Sequence, residues 1–110
     1  MKVPVWIEDE VDAMAYCASL RPGAPRDLLY VRFSLGIGLG IVSGGKLHRG
    51  TIGASGEVAH IQIENGGDEC RCGRRGCLET FASGAAFEHA ARNPEVWMRS
   101  PFLSEAHARS

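Results

Sequence analysis

The chain has 110 residues, room for one small domain or part of a larger one, and its 45% apolar content suffices for a core, which excludes disorder over most of its length. With 12 basic and 13 acidic residues the net charge is −1, so nothing pulls the chain as a whole toward nucleic acid or an anionic membrane. There is no long apolar run and no signal-peptide pattern, which makes the cytoplasm the expected compartment, and cysteines grouped at metal-ligand spacing suit its reducing conditions.

Val3 to Ile7 (VPVWI) is a short apolar run of β-branched and aromatic character, the pattern of a buried strand. Because it starts almost at the first residue, the expectation is that the chain is a piece of something larger. Glu8, Asp9, Glu10 and Asp12 follow, with Val11, Met14, Ala15 and Ala18 at helical spacing. This predicts a helix of about three turns opened by acids that complement its dipole. Capping accounts for these carboxylates, but an acidic turn between strand and helix is also where α/β proteins place ligand-binding groups. Cys17 on this helix is expected to be a small buried apolar residue.

Arg21 to Asp27 (RPGAPRD) is a Pro/Gly loop. Leu28 to Leu35 is strand-like, Ile37 to Ser43 continues after Gly36, and Gly44-Gly45 offers the positive-φ pair of a two-residue hairpin turn before a return strand, Lys46 to His48. Within it, Gly36-Ile37-Gly38-Leu39-Gly40 leaves one face of the strand bare, so that another backbone or a ligand can come close. The segment lacks the spacing and the lysine of a phosphate loop, and packing explains it at least as well as phosphate binding does.

Arg49 to Ser55 is a Gly-rich connection. The next stretch, Gly56 to Glu79 (GEVAHIQIENGGDECRCGRRGCLE), organises the chain. It carries Cys70, Cys72 and Cys77 within eight residues, and His60 ten positions before Cys70. Three thiolates and an imidazole suit a tetrahedral Zn²⁺. Cys-x-Cys puts two ligands on one tight loop, and Gly73 and Gly76 let the backbone return so that Cys77 closes the site. His60 falls in an alternating run, Val58 to Ile63, that predicts a strand clipping the loop to a sheet. His48, His89, Asp68 or Glu69 are the alternatives to His60 as fourth ligand. A disulfide is disfavoured, because Cys70 and Cys72 are too close to pair comfortably and three local thiols leave one over. Arg71, Arg74 and Arg75 form a small basic loop, expected to be solvated surface or a subunit contact rather than a nucleic-acid site.

From Leu78 the spacing turns helical through Phe81, Ala82, Ala85, Ala86, Phe87 and Ala90, with Gly84 weakening the helix and Asn93-Pro94 ending it. Trp97, Met98, Phe102 and Leu103 predict one more short amphipathic piece. No internal repeat, low-complexity tract or domain boundary is evident.

Taken in order, Val3 to Ala15, Gly36-x-Gly-x-Gly, Gly44-Gly45-x-Leu-x-x-Gly50, Gly53-x-x-Gly56-Glu57-x-x-His60 and Cys70-x-Cys-Gly-x-x-Gly-Cys77-Leu-Glu79 resemble the ROK family, named for repressors, open reading frames and kinases. The resemblance runs from about Val3 to Ala91. It implies an α/β chain that is part of an actin-like (ribonuclease-H-like) ATPase fold, with a sugar between two lobes and a structural zinc on His60, Cys70, Cys72 and Cys77. It also implies that Asp9, Glu10, Glu57, His60 and Glu79 line the sugar. On this view residues 1–110 are a partial ROK domain, without the N-terminal lobe and its Asp-x-Gly-Gly-Thr phosphate loop, and without the C-terminal continuation that helps to hold adenine.

Two positions depart from the kinases of the family. Where they read Glu-Asn-Asp, with the Asp as general base, this chain has Glu8-Asp9-Glu10. The extra methylene of Glu10 moves the carboxylate by about an ångström, a displacement that can cost on the order of 100-fold in rate. The kinases usually carry Thr at the position of Ile37, where a hydroxyl meets phosphate, and Ile donates no such bond. The first expectation is therefore the sugar-sensing portion of a transcriptional regulator, with a sugar as ligand, DNA met only through a domain outside this chain, no membrane partner, and a homo-oligomeric state. The second is a segment of a sugar kinase using ATP and Mg²⁺, with Glu10 as catalytic base and Gly36 and Gly38 at the nucleotide phosphates. A remnant gene product with neither activity is the third.

Overall fold

A computed structural model of the chain describes residues 2–5, 7–93 and 95. It divides into two compact units, the first taking in residues up to Arg32 together with Gly38–Glu57, the second Phe33–Ile37 and the residues from Val58 on.

The first unit is built on helix α1 (Glu10–Ser19), the strands β1 (Leu28–Phe33) and β2 (Ile37–Ser43) apart from Phe33 and Ile37, and β3 (Lys46–Leu47), in sheet order β1-β2-β3. Asp9 starts α1 by accepting a hydrogen bond from the Val11 N–H at 2.9 Å, which satisfies one of the donors a helix leaves open at its first turn. β2 and β3 pair antiparallel, Val42 with Leu47 and Ser43 with Lys46, around the predicted Gly44-Gly45 turn. Both glycines have positive φ, 59° and 78°, as the two-residue turn requires. Asp27 ties the turn down, accepting from the Gly44 N–H at 2.8 Å and the Ser43 hydroxyl at 3.0 Å. These two bonds hold the Asp27 carboxyl below its ordinary pKa.

The bare glycine face of β2 receives α1. A Cβ on Gly40 would lie 2.5 Å from Ala15 Cβ and 2.8 Å from the Val11 carbonyl oxygen, and one on Gly38 would overlap Val11 Cγ2. The glycines thus let helix and strand approach at backbone distance, with Ala15 and Val42 buried beneath. Along β1, burial alternates and leaves Leu29, Val31 and Phe33 exposed.

The second unit contains a single 3₁₀ turn (Val58–His60), helix α2 (Leu78–Ala82) and helix α3 (Gly84–Arg92). Its largest fully buried side chains are Cys77 and Ser83, and Ala59, Cys70 and Ala90 are buried too. Among the described residues this core is small and supplies little hydrophobic stabilisation, so a cross-link would matter to it.

Several expectations from the sequence are corrected. Residues 3–5 and Ile7 are not in a strand, and Val5 and Ile7 are 84% and 97% exposed; among the described residues nothing pairs with them. An apolar run specifies a strand only where a ladder partner satisfies its backbone. His60 lies on the 3₁₀ turn rather than on a strand. Ile61 and Ile63 are exposed, and pairing in this segment is limited to one bridge between Gln62 and Cys77. The helix predicted from Leu78 is two helices. Ser83 adopts extended backbone (φ −77°, ψ 161°), ends α2, and caps α3 by accepting from the Ala86 N–H at 3.1 Å. Asn93 ends α3 as expected. Cys17 is exposed, because the buried side of α1 carries Asp12 and Ala15. The piece predicted around Trp97, Met98, Phe102 and Leu103 lies outside the described residues. Among the described residues no helix is long and apolar enough to cross a membrane.

Candidate metal centre

The loop after the 3₁₀ turn is shaped by backbone bonds. The Ile63 and Gly76 groups meet at 2.8 Å, the Cys70 N–H donates to the Arg74 carbonyl at 2.8 Å, and the Gly73 N–H donates to the Cys70 carbonyl at 2.8 Å. The last two fold Cys70 to Arg74 into a tight knuckle. Gly76 (φ 70°) then passes against the Glu64 carbonyl, where a side chain would not fit. The Leu78 N–H donates to the Ile61 carbonyl at 2.9 Å, bringing the start of α2 beside the 3₁₀ turn.

The result brings together the four expected ligands. One donor atom from each of His60, Cys70, Cys72 and Cys77 lies within 4.8 Å of the others, a group that could hold a metal ion. Among the alternatives weighed for the fourth position, His48, His89, Asp68 and Glu69 are not in this group. Cys70 Sγ is 3.5 Å from His60 Nδ1, and Cys72 Sγ is 3.7 Å from Cys77 Sγ. Bond lengths of about 2.3 Å to sulfur and 2.0 Å to nitrogen give tetrahedral edges of about 3.8 Å between sulfurs and about 3.5 Å between sulfur and nitrogen. The donor set and its spacing therefore fit a Zn²⁺-type site. The Arg74 backbone N–H, and then its guanidinium, lower the Cys72 thiol to about 6, which favours the thiolate a metal needs. Burial, and then the neighbouring thiols Cys72 and Cys70, push Cys77 up to about 11.

Glu79, on α2 two residues after Cys77, is buried. Its Oε1 receives Arg71 Nε at 2.7 Å, and its Oε2 receives the second Arg71 nitrogen at 3.2 Å and the Ile37 N–H at 3.5 Å. Glu79 and Arg71 line an open groove of about 510 Å³, together with Leu35, Ser83, Ala86 and His89. Arg71 is the residue that sequence reasoning missed: as part of a basic loop it was expected to be solvated, and only the fold turns it onto a carboxylate.

Of the other expected sugar residues, Asp9, Glu10 and Glu57 belong to the first unit, while His60 and Glu79 belong to the second. Asp9 caps α1, and Glu10 is ion-paired with Arg32. Glu57 is exposed at the end of the Gly-rich connection. Glu8 is held by Arg49, whose Nε donates at 2.7 Å and lowers its carboxyl pKa. Of the expected phosphate-contacting glycines, Gly38 faces Val11, and a Cβ on Gly36 would come within 2.7 Å of Glu79 Oε2.

The ROK family model matches residues 1–108. The chain is 40% identical to the xylose repressor of Bacillus subtilis over 84% of its own length and 25% of the repressor. It is 32% identical to the N-acetylmannosamine kinase of Vibrio cholerae over 96% of its own length and 40% of the kinase. In structure it is similar to the ROK hexokinase from Thermus thermophilus, with a TM-score of 0.75 and 38% identity over 84% of this chain and 32% of that one. It thus spans between a quarter and two fifths of the length of these relatives, which include regulators and kinases alike. The chain belongs to the ROK family.

Proposed function

We propose that this chain is the sugar-sensing portion of a ROK-type transcriptional regulator of actin-like, ribonuclease-H-like architecture, binding a hexose or hexose derivative without phosphorylating it. DNA contact falls to a domain outside these 110 residues. His60, Cys70, Cys72 and Cys77 hold a structural Zn²⁺, which fixes the loop: four protein donors leave no open position for catalysis at the metal. The observation that carries the reading is the buried carboxylate of Glu79, anchored beside the metal loop by Arg71 and facing an open groove. A carboxylate with two oxygens fixed in this way keeps lone pairs for the vicinal hydroxyls of a sugar. Asp9, Glu10, Glu57 and His60 are assigned to the remaining hydroxyls, with His60 held in one tautomer by the metal.

Two features support binding without phosphoryl transfer. Glu10, the base of the kinase reading, already has its carboxylate engaged by Arg32. Ile37 is buried and offers no hydroxyl to a phosphate. The match to a sugar kinase over 96% of the chain favours a second reading, a segment of an ATP-dependent sugar kinase, with Glu10 as base, Gly36 and Gly38 at the nucleotide phosphates, and Mg²⁺. The Val11 side chain over Gly38 weighs against that approach.

The test is calorimetric titration of the zinc-loaded chain with D-glucose, D-xylose and N-acetylmannosamine, beside an ADP-release assay with ATP and Mg²⁺. Binding of a sugar with no ADP above a heat-killed control is expected. ADP release that disappears in Glu10→Ala would establish the kinase reading instead, and no binding of any sugar would overturn both.

A further inference from the structure

We infer that Arg71 is a positioning residue, coupling the metal loop to the sugar-facing carboxylate of Glu79; this deepens the proposed function and rests on it. The first ground is the geometry of the pair. Nε meets Oε1 at 2.7 Å and the terminal nitrogen meets Oε2 at 3.2 Å, so one edge of the guanidinium grips both carboxylate oxygens. A two-point grip fixes the rotation of the carboxylate plane as well as its position, which a single ammonium donor cannot do.

The second ground is the asymmetry of exposure. The Glu79 side chain is 9% exposed and that of Arg71 75%. The pair therefore contributes little as a surface salt bridge, but it supplies the charged partner that a buried carboxylate needs. Besides Arg71, the Ile37 N–H meets Glu79 Oε2 only at 3.5 Å, a long contact that does not replace a charged partner. The third ground is where the two residues are tethered. Arg71 sits between Cys70 and Cys72, and Glu79 follows Cys77 by two residues, so both hang from ligand-bearing backbone. Closing the metal site brings the two together. Gly36 completes the arrangement from the far side: a Cβ there would lie 2.7 Å from Glu79 Oε2 and 3.3 Å from the Arg71 terminal nitrogen. Arg71 acts on the sugar through Glu79 and needs no contact of its own.

The experiment compares the zinc-loaded wild-type chain with Arg71→Met, Arg71→Lys, Glu79→Gln and the double variant Arg71→Met/Glu79→Gln. Metal content, melting temperature and affinity for the sugar that the wild type binds best are measured for each. Because Arg71 is not itself a ligand, Arg71→Met is expected to keep one metal per chain, but to melt below wild type, since it leaves the buried Glu79 carboxylate without its charged partner. Its sugar affinity is expected to fall by about tenfold to a hundredfold, with Arg71→Lys losing less, and with Arg71→Met adding almost nothing once Glu79 is Gln. Wild-type affinity in a metal-loaded Arg71→Met, or losses that simply add in the double variant, would overturn the inference. A wild-type chain that binds none of the sugars overturns the proposed function instead. The double-variant cycle then reads the pair from melting temperature, where additivity would still sink the link between Arg71 and Glu79.

Discussion

Cys70 Sγ and His60 Nδ1 stand 3.5 Å apart, although they are ten positions apart in the chain and no helix or strand spans the interval. A loop of this kind loses chain entropy when its ends are brought together, and among the described residues the second unit fully buries few large apolar side chains to offset that loss. What the unit places at its centre instead is sulfur: Cys70 and Cys77 are buried where a larger domain would put leucine or phenylalanine. On the proposed zinc reading, metal binding becomes the chief term that folds this part of the chain.

Replacement of Cys72 by serine is accordingly expected to abolish stoichiometric zinc and to lower the melting temperature by more than about 10 °C, and EDTA should do the same to wild type. Cys17→Ser is the control. Its thiol is exposed on α1 and away from the cluster, so both metal content and melting temperature should stay unchanged. A Cys72→Ser protein that melts like wild type in EDTA-free buffer would show that the loop holds without metal.

Gly38→Ala is expected to destabilise the chain by about 1–3 kcal/mol, because the new methyl overlaps Val11 Cγ2. The same substitution in a Val11→Ala background should cost little or nothing, since the obstructing methyl is gone. Chemical denaturation of the four proteins measures the coupling, and an equal cost in both backgrounds would mean that α1 does not rest on this glycine.

Asp12 is buried on α1, and its carboxyl pKa is raised above 3.8 by burial and by Glu8 and Asp9, with Arg49 partly opposing. A carboxyl that is harder to ionise in the folded state than in the unfolded one lowers stability as pH rises through the two pKa values. Asp12→Asn should therefore melt higher than wild type at neutral pH. Its advantage should shrink as pH falls toward 3.8. Lower stability of Asp12→Asn at pH 7 would show that the carboxylate makes a favourable contact outweighing its burial.

The His/Cys cluster was legible because its chemistry is written in residue type and short spacing: three cysteines within eight positions name the loop before any fold is known. The Gly44-Gly45 turn and the Asn93 stop were legible for the same reason, since each rests on a backbone preference of the residue itself. Val3 to Ile7 and Val58 to Ile63 misled because an apolar run or an alternation only permits a strand, and pairing partners decide it. Gln62 finds one bridge to Cys77, and Val5 finds none among the described residues. Arg71 was beyond reach of pattern altogether. Its neighbours Arg74 and Arg75 share its composition, and only the knuckle between Cys70 and Arg74 decides which arginine meets Glu79.

The extended residue Ser83 separates two helices that an unbroken pattern would have fused. A continuous helix would transmit every shift of its far end back to the carboxylate near its start. With the break, α2 is a short post fixed at the cysteine loop, while α3 begins afresh from its own cap. Substitutions along α3 can thus accumulate, and retune the groove wall at Ala86 and His89, without disturbing the aim of Glu79. One serine lets an anchored carboxylate and a variable wall evolve on separate terms.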